Sequence, residues 1–348
     1  MNSQIAAILA VDGIATGAIY MLIGLGFVLI FAVTRVIFVP FGDLAAFTAL
    51  TLAALETRQI PGTVGLVAVL AVIAVLAEIA AKLRARAYRL IPRAIFFYFV
   101  LPLAPAALVW LVAGAPLSMA ERIGLAIALI LPIAPLLDRI AFRPIADGSV
   151  LLLLTVAVVL HFALVGLGLM FFGPQGVRTE ALTDASFNVA GMAVSAQTIL
   201  IVIAALVFSG LLFLFFEFTA MGKALRATAV NRAGARLVGI RPATTGTIAY
   251  LLASLLAAIS GVLIGSVTTV FYDTGFLIGL KAFVGAIFGA MVSYPLTALG
   301  TILIGLLESF ASFWSSDFKE VIVFGILIPV LLWRSLSYGH GDEDDSEE

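Results

Sequence analysis

Residues able to do chemistry are few in this chain, and they are far apart. His161 stands alone in an apolar run and His340 in an acidic tail, so no histidine cluster is available for a metal or a nucleophilic triad. There is no cysteine, which removes disulfides and thiolate metal sites. Lys281 and Glu308 are charges inside apolar segments. Such charges are costly in hydrocarbon, so they face a bundle interior and either find partners or line a water-filled path. Spacing leaves open whether these two pair between adjacent helices or each serve a helix end. Glu78 and Glu217 stand near the ends of apolar runs, where reaching out to the interface is the expected arrangement. Nothing here assembles a catalytic pocket, so enzyme function is disfavoured. Gly275-Phe-Leu-Ile-Gly-Leu-Lys281 lacks the spacing of a P-loop, so if ATP is consumed another chain binds it.

The remaining candidate is a basic island, Met221 to Ile240, which carries Lys223, Arg226, Arg232 and Arg236 and no acid. Between Val230 and Ile240 the apolar Val230, Ala233, Leu237 and Ile240 share one face at helical spacing, while Arg232 and Arg236 form an i,i+4 pair on another. The expectation is one short amphipathic helix along the cytoplasmic surface. Physics alone leaves two roles for it, contact with anionic lipid or docking of a partner.

The elements that must position these residues follow from composition. Hydrophobic residues make up 63% of the 348, charged residues 11%, and mean hydropathy is +1.21. A soluble domain is about 25% charged. Apolar runs recur at the length, about 17 to 25 residues, that crosses a bilayer core as helix. They do not alternate polar and apolar positions, so a β-barrel is disfavoured and the fold class is an all-α polytopic transmembrane bundle. Eleven segments qualify, with eight as the lower bound: 12–33, 42–57, 62–81, 94–113, 121–137, 149–172, 197–217, 247–271, 276–292, 296–312 and 319–336. The segment 276–292, with Lys281 and several glycines, is the weakest of these, open to being either a full span or a broken or re-entrant helix. Of 19 Lys and Arg, threading puts fourteen on one side and four (Arg58, Arg122, Arg178, Lys319) on the other, with Lys281 in a span. The positive-inside rule then places the carboxyl terminus and the 218–246 loop in the cytoplasm. Residues 5–336 form a single transmembrane domain, and the acidic end 337–348 is expected to be disordered. Net charge is −1 and no nucleic-acid partner is expected. Gly-xxx-Gly spacings at Gly13/Gly17, Gly261/Gly265, Gly275/Gly279 and Gly285/Gly289 carry little functional signal in so glycine-rich a chain.

Several motifs, in collinear order, resemble the permease subunits of ABC importers for branched-chain amino acids, a group related to ribose-type sugar permeases. Gly17-Ala-Ile-Tyr-Met-Leu-Ile-Gly-Leu-Gly26 is similar to the family's first helix, and Asp138-Arg-Ile-Ala-Phe-Arg-Pro-Ile145 to its central signature. Met221-Gly-Lys-Ala-Leu-Arg-Ala through Asn231 to Leu237-Val-Gly-Ile240 resembles its coupling loop, and Gly279-Leu-Lys-Ala-Phe283 and Gly305-Leu-Leu-Glu308 match two further signatures. The resemblance implies alternating access in a bacterial or archaeal inner membrane. It also implies partners: ABC ATPase subunits, a second permease subunit as a homo- or heterodimer, and an external substrate-binding protein. No cofactor is expected on this chain, ATP being used by the partner subunits. It marks Gly222, Arg226, Asn231, Arg232, Arg236 and Gly239 as the ATPase contact, and Phe41, Gly42, Lys281 and Glu308 as candidates for the translocation path.

The sequence departs from the family in places. Where the family reads Asn-Phe-Ala-His-Gly, this chain has Phe38-Val-Pro-Phe-Gly42 and so loses a polar Asn and His near the path. The stretch 82–120 is longer than the family's and reads as an added helical hairpin. The first expectation is an importer of branched-chain or other apolar amino acids. A permease for a sugar or other small polar solute, and an ion-gradient-driven transporter or channel using Lys281 and Glu308, are the alternatives.

Overall fold

The computed structural model describes residues 3–332 except 147, 184, 190, 191, 327 and 331. The acidic tail 337–348, Arg334 and the end of the 319–336 segment lie outside the described residues.

The chain forms a helical bundle. Its elements are α1 (Ser3–Thr34), α2 (Phe41–Glu56), α3 (Gly62–Arg84), α4 (Tyr88–Val112), α5 (Met119–Ile145), α6 (Val150–Phe172) and α7 (Ala196–Phe218). They continue with α8 (Ala220–Val230), α9 (Arg232–Leu237), α10 (Pro242–Gly265), α11 (Thr274–Phe288), α12 (Tyr294–Trp314) and α13 (Lys319–Gly325). Among the described residues, eight of the eleven expected segments are helices long and apolar enough to cross a membrane: α1, α3 to α7, α10 and α12. Of the other three, α2 has 16 residues and α11 has 15. The third, 319–336, lies partly outside the described residues, which hold the 7-residue α13.

The reason α2 can be short is its position. Nearly every residue in it is buried, so it sits among other helices and meets no lipid. Residues 35–40 between α1 and α2 are not helical, and Val36 and Phe38 in that stretch are buried. Phe38 packs edge-on against Phe142 and Tyr250. Irregular backbone is tolerated at such depth only where protein surrounds it. Helix α2 therefore starts inside the bundle. Helix α11 starts beside it, because a side chain on Gly275 would lie 2.6 Å from the Cα of Asp43.

Small residues set the central contacts. The GxxxG spacings discounted above all lie at helix contacts: Gly13 and Gly17 on α12, Gly261 and Gly265 on α2, Gly275 and Gly279 on the start of α2, and Gly285 on Thr301. Without a hydrophobic force between helices in lipid, close backbone approach is what holds them. Helices α6 and α7 are apolar all round and only 22% buried over their most apolar windows, the pattern of surfaces meant for lipid.

Local signals set the ends. Ser118 and Glu121 form a capping box on α5, and Ser149 caps α6 by accepting from Leu152 N at 3.2 Å. The stretch 82–120 holds the end of α3 and the whole of α4, which packs on α3. The 173–196 connection contains a hairpin that its composition did not announce, β1 (Ser186–Val189) antiparallel to β2 (Met192–Ser195) with Ser186 opposite Ser195. Val177 also bridges Val270.

Candidate functional site

The basic island is not one helix. Asn231 ends α8 in an extended conformation and its side chain starts α9, accepting from Gly234 N at 2.8 Å. Asx side chains compete with helical hydrogen bonding in this way, so the short helix expected within 230–240 is α9, and Asn231 separates it from a preceding helix, α8. Thr219 caps α8 by accepting from Gly222 N at 2.9 Å. Gly222 is buried where α8 turns back on α7, and a side chain there would collide with Phe215 and Phe216 backbone. Gly239 has φ +84°, open to glycine at little cost, and ends α9.

The two short helices present an exposed apolar ridge. Val230, Leu237 and Val238 are 86%, 89% and 76% exposed. Arg236 is exposed beside them, and Arg226 is half exposed and pairs with Glu217 at 3.0 Å. Glu217 thus stays at a helix end near the surface. Arg232 turns inward instead: it is partly buried, and its Nε is shielded from solvent.

Asp138 belongs to a second cluster, against the same end of the bundle. Arg143 donates from Nε to Asp138 Oδ2 at 2.8 Å, from Nη1 to Tyr98 Oη at 3.0 Å, and from Nη2 to Ala243 O at 3.2 Å and to Thr247 Oγ1. One guanidinium fork therefore ties α5 to α4 and to the first turns of α10, next to the basic loop. Glu78 does not reach the interface. It is buried and meets Arg139, with Lys82 Nζ at 3.3 Å, because α5 supplies a cation that makes burial of the carboxylate affordable.

The intramembrane charges form a third cluster. Lys281 Nζ donates to Glu308 Oε1 at 2.5 Å and to Glu320 Oε1 at 3.0 Å, while Tyr20 Oη donates to Glu308 Oε2 at 2.7 Å. Of the two arrangements open from spacing, pairing between helices is the one adopted, and it joins α1, α11, α12 and α13. Phe41 and Gly42 are not part of it. Phe41 packs on Phe27 at 5.3 Å between centroids, and Gly42 lies against Gly275 and Gly279.

His161 is not alone. Its Nδ1 lies 2.7 Å from Asp43 Oδ2, and both residues are buried. Distance along the chain hid this pair, since 118 positions separate its members.

The model of the family described as "Branched-chain amino acid transport system / permease component" matches residues 9–331. The chain belongs to this family. Among curated proteins it is 32% identical over 206 residues to the high-affinity branched-chain amino acid transport system permease protein BraD of Pseudomonas aeruginosa, covering 57% of this chain and 67% of that one. It is 30% identical over 207 residues to the corresponding protein LivH of Escherichia coli, covering 56% and 66%, so the aligned part spans about two thirds of these relatives' length. No solved structure matches the chain. For this family member, the basic loop, the Arg143 fork and the two buried charge clusters are thus features of a multi-pass membrane permease component. The Arg143 fork escaped sequence reasoning, although two charges five apart in Asp138-Arg-Ile-Ala-Phe-Arg143 were a usable signal.

Proposed function

We propose that the chain is the membrane-spanning subunit of an ATP-driven importer for branched-chain or other apolar amino acids, set in a bacterial or archaeal cytoplasmic membrane. It works with a second permease subunit, two cytoplasmic ATPases and an external binding protein. Substrate passes by alternating access, with motion of the ATPases delivered through residues 222–240. The observation that carries this reading is the exposed ridge of Val230, Leu237 and Val238 with Arg236 beside it, on a loop fixed by two caps. Large apolar side chains flanked by cations, outside the spanning helices, are suited to a protein socket. Gly222, Arg226, Asn231 and Gly239 shape this ridge, and Arg232 opens α9 beside it. An ion-gradient mechanism would call for free charges on a path, and Lys281 and Glu308 are instead engaged with each other, Tyr20 and Glu320.

The test is purification of the tagged chain from native membranes with identification of what accompanies it, followed by charge reversal. A stoichiometric P-loop ATPase is expected with the unaltered chain. Arg236→Glu combined with Leu237→Asp is expected to abolish leucine uptake while the chain stays folded. Unaltered uptake by that variant overturns the coupling role.

A further inference from the structure

The Asp43–His161 pair has no part in the coupling described above, and several features set it apart from an ordinary buried ion pair. Asp43 is fully buried and stands in the first turn of α2, a helix that begins inside the bundle. Its Oδ2 meets His161 from α6, but its Oδ1 is buried with no hydrogen-bond partner among the described residues. An unsatisfied carboxylate oxygen in such a place is costly, and a carboxylate kept there has an available acceptor aimed at whatever enters. The first turn of α11 adjoins it through Gly275. Helix amino termini favour negative charge, so the adjoining starts of α2 and α11 suit both an ionised Asp43 and the carboxylate of a zwitterion.

Two aromatic rings flank the histidine of the pair, Phe162 at 5.3 Å from its own helix and Phe276 from α11. The ring of Phe276 stacks on His161 at 4.6 Å, and Phe276 is itself 36% exposed. Residues 266–273, which lead into α11, form no continuous helix, so the start of α11 has a non-helical joint behind it. A turn of the Phe276 side chain would bare one face of the His161 imidazole, behind which Asp43 lies.

We propose that Asp43, oriented by His161, is the polar subsite for the ammonium group of the transported amino acid, with Phe276 stacked over His161 at its edge. This rests on the amino acid import reading. Asp43 Oδ1 accepts from the ammonium, while the substrate's apolar side chain meets the surrounding hydrocarbon.

The test uses the permease complex with its co-purifying ATPases in lipid nanodiscs, without the binding protein, whose own selectivity would otherwise enter. Binding of labelled L-leucine is competed with 4-methylpentanoate, which is leucine without its amino group. The unaltered complex is expected to prefer leucine by about tenfold or more, the value of one buried charged hydrogen bond. Asp43→Asn, isosteric and able to keep the His161 contact, is expected to bind both equally. Phe276→Ala keeps both polar groups and is expected to retain the preference with faster association. Preference retained by Asp43→Asn, or no preference in the unaltered complex, overturns the subsite. ATP-driven leucine uptake into vesicles, with binding protein added, separates the two ideas. Uptake in the unaltered complex that Asp43→Asn leaves unchanged sinks the subsite alone. Leucine-selective binding without any ATP-driven uptake sinks the import reading alone.

Discussion

Gly42 shows how much a single residue decides in this bundle. A methyl group there would overlap Gly275 O and lie 2.8 Å from Gly279 N, so the starts of α2 and α11 can meet only because no side chain intervenes. The neighbouring backbone belongs to two buried helices and cannot yield easily. Gly42→Ala is therefore expected to destabilise the protein by about 1 to 3 kcal/mol, the usual cost of overpacking a filled interior. Thermal unfolding in detergent reads this directly, and an unchanged midpoint would mean that the two starts are not held together. Sequence reasoning placed Gly42 near the path by family resemblance. Why it must be glycine became visible only with α11 beside it.

At the scale of elements, the Arg143 fork is the strongest connection near the basic loop. It joins α5, α4 and α10, whose first turns follow directly on the basic loop. Arg143→Met leaves Asp138 buried and uncompensated by the fork, and removing one partner of such a pair costs about 3 to 5 kcal/mol. Asp138→Asn added to Arg143→Met is expected to recover a large part of that loss. A double-mutant cycle on denaturant midpoints measures the coupling, and strictly additive effects would show that the two do not act together. The Lys281–Glu308–Glu320 cluster does comparable work at α11 to α13. Apart from Asp138 and Arg143, five residues apart, these links leave no trace in spacing, since Tyr20 and Glu308 are 288 positions apart.

For the whole molecule, orientation is the open physical statement, and the absence of cysteine makes it measurable. Arg58→Cys and Leu237→Cys each place one thiol at an exposed position near opposite ends of the bundle. A membrane-impermeant maleimide added to intact cells is expected to label Arg58→Cys and to reach Leu237→Cys only after permeabilisation. The reverse pattern would invert the chain and take the basic loop away from cytoplasmic ATP, contrary to the charge bias.

The amino-acid sequence by itself determined that this is a multi-pass helical membrane protein, where the long helices run, and which segment is basic and water-facing. Those properties depend on apolar length and on charge counted over short windows, and both are local. Tertiary structure alone decided that α2 begins inside the bundle with the start of α11 against it, that the basic island breaks at Asn231, and that Glu78 is buried. It alone paired His161 with Asp43. Each of these depends on which distant segment supplies a counter-charge, a hydrogen bond or a bare glycine backbone. In a chain where nearly every helix is apolar, hydrophobicity ranks no neighbour above another, and only shape and the few polar groups choose among them.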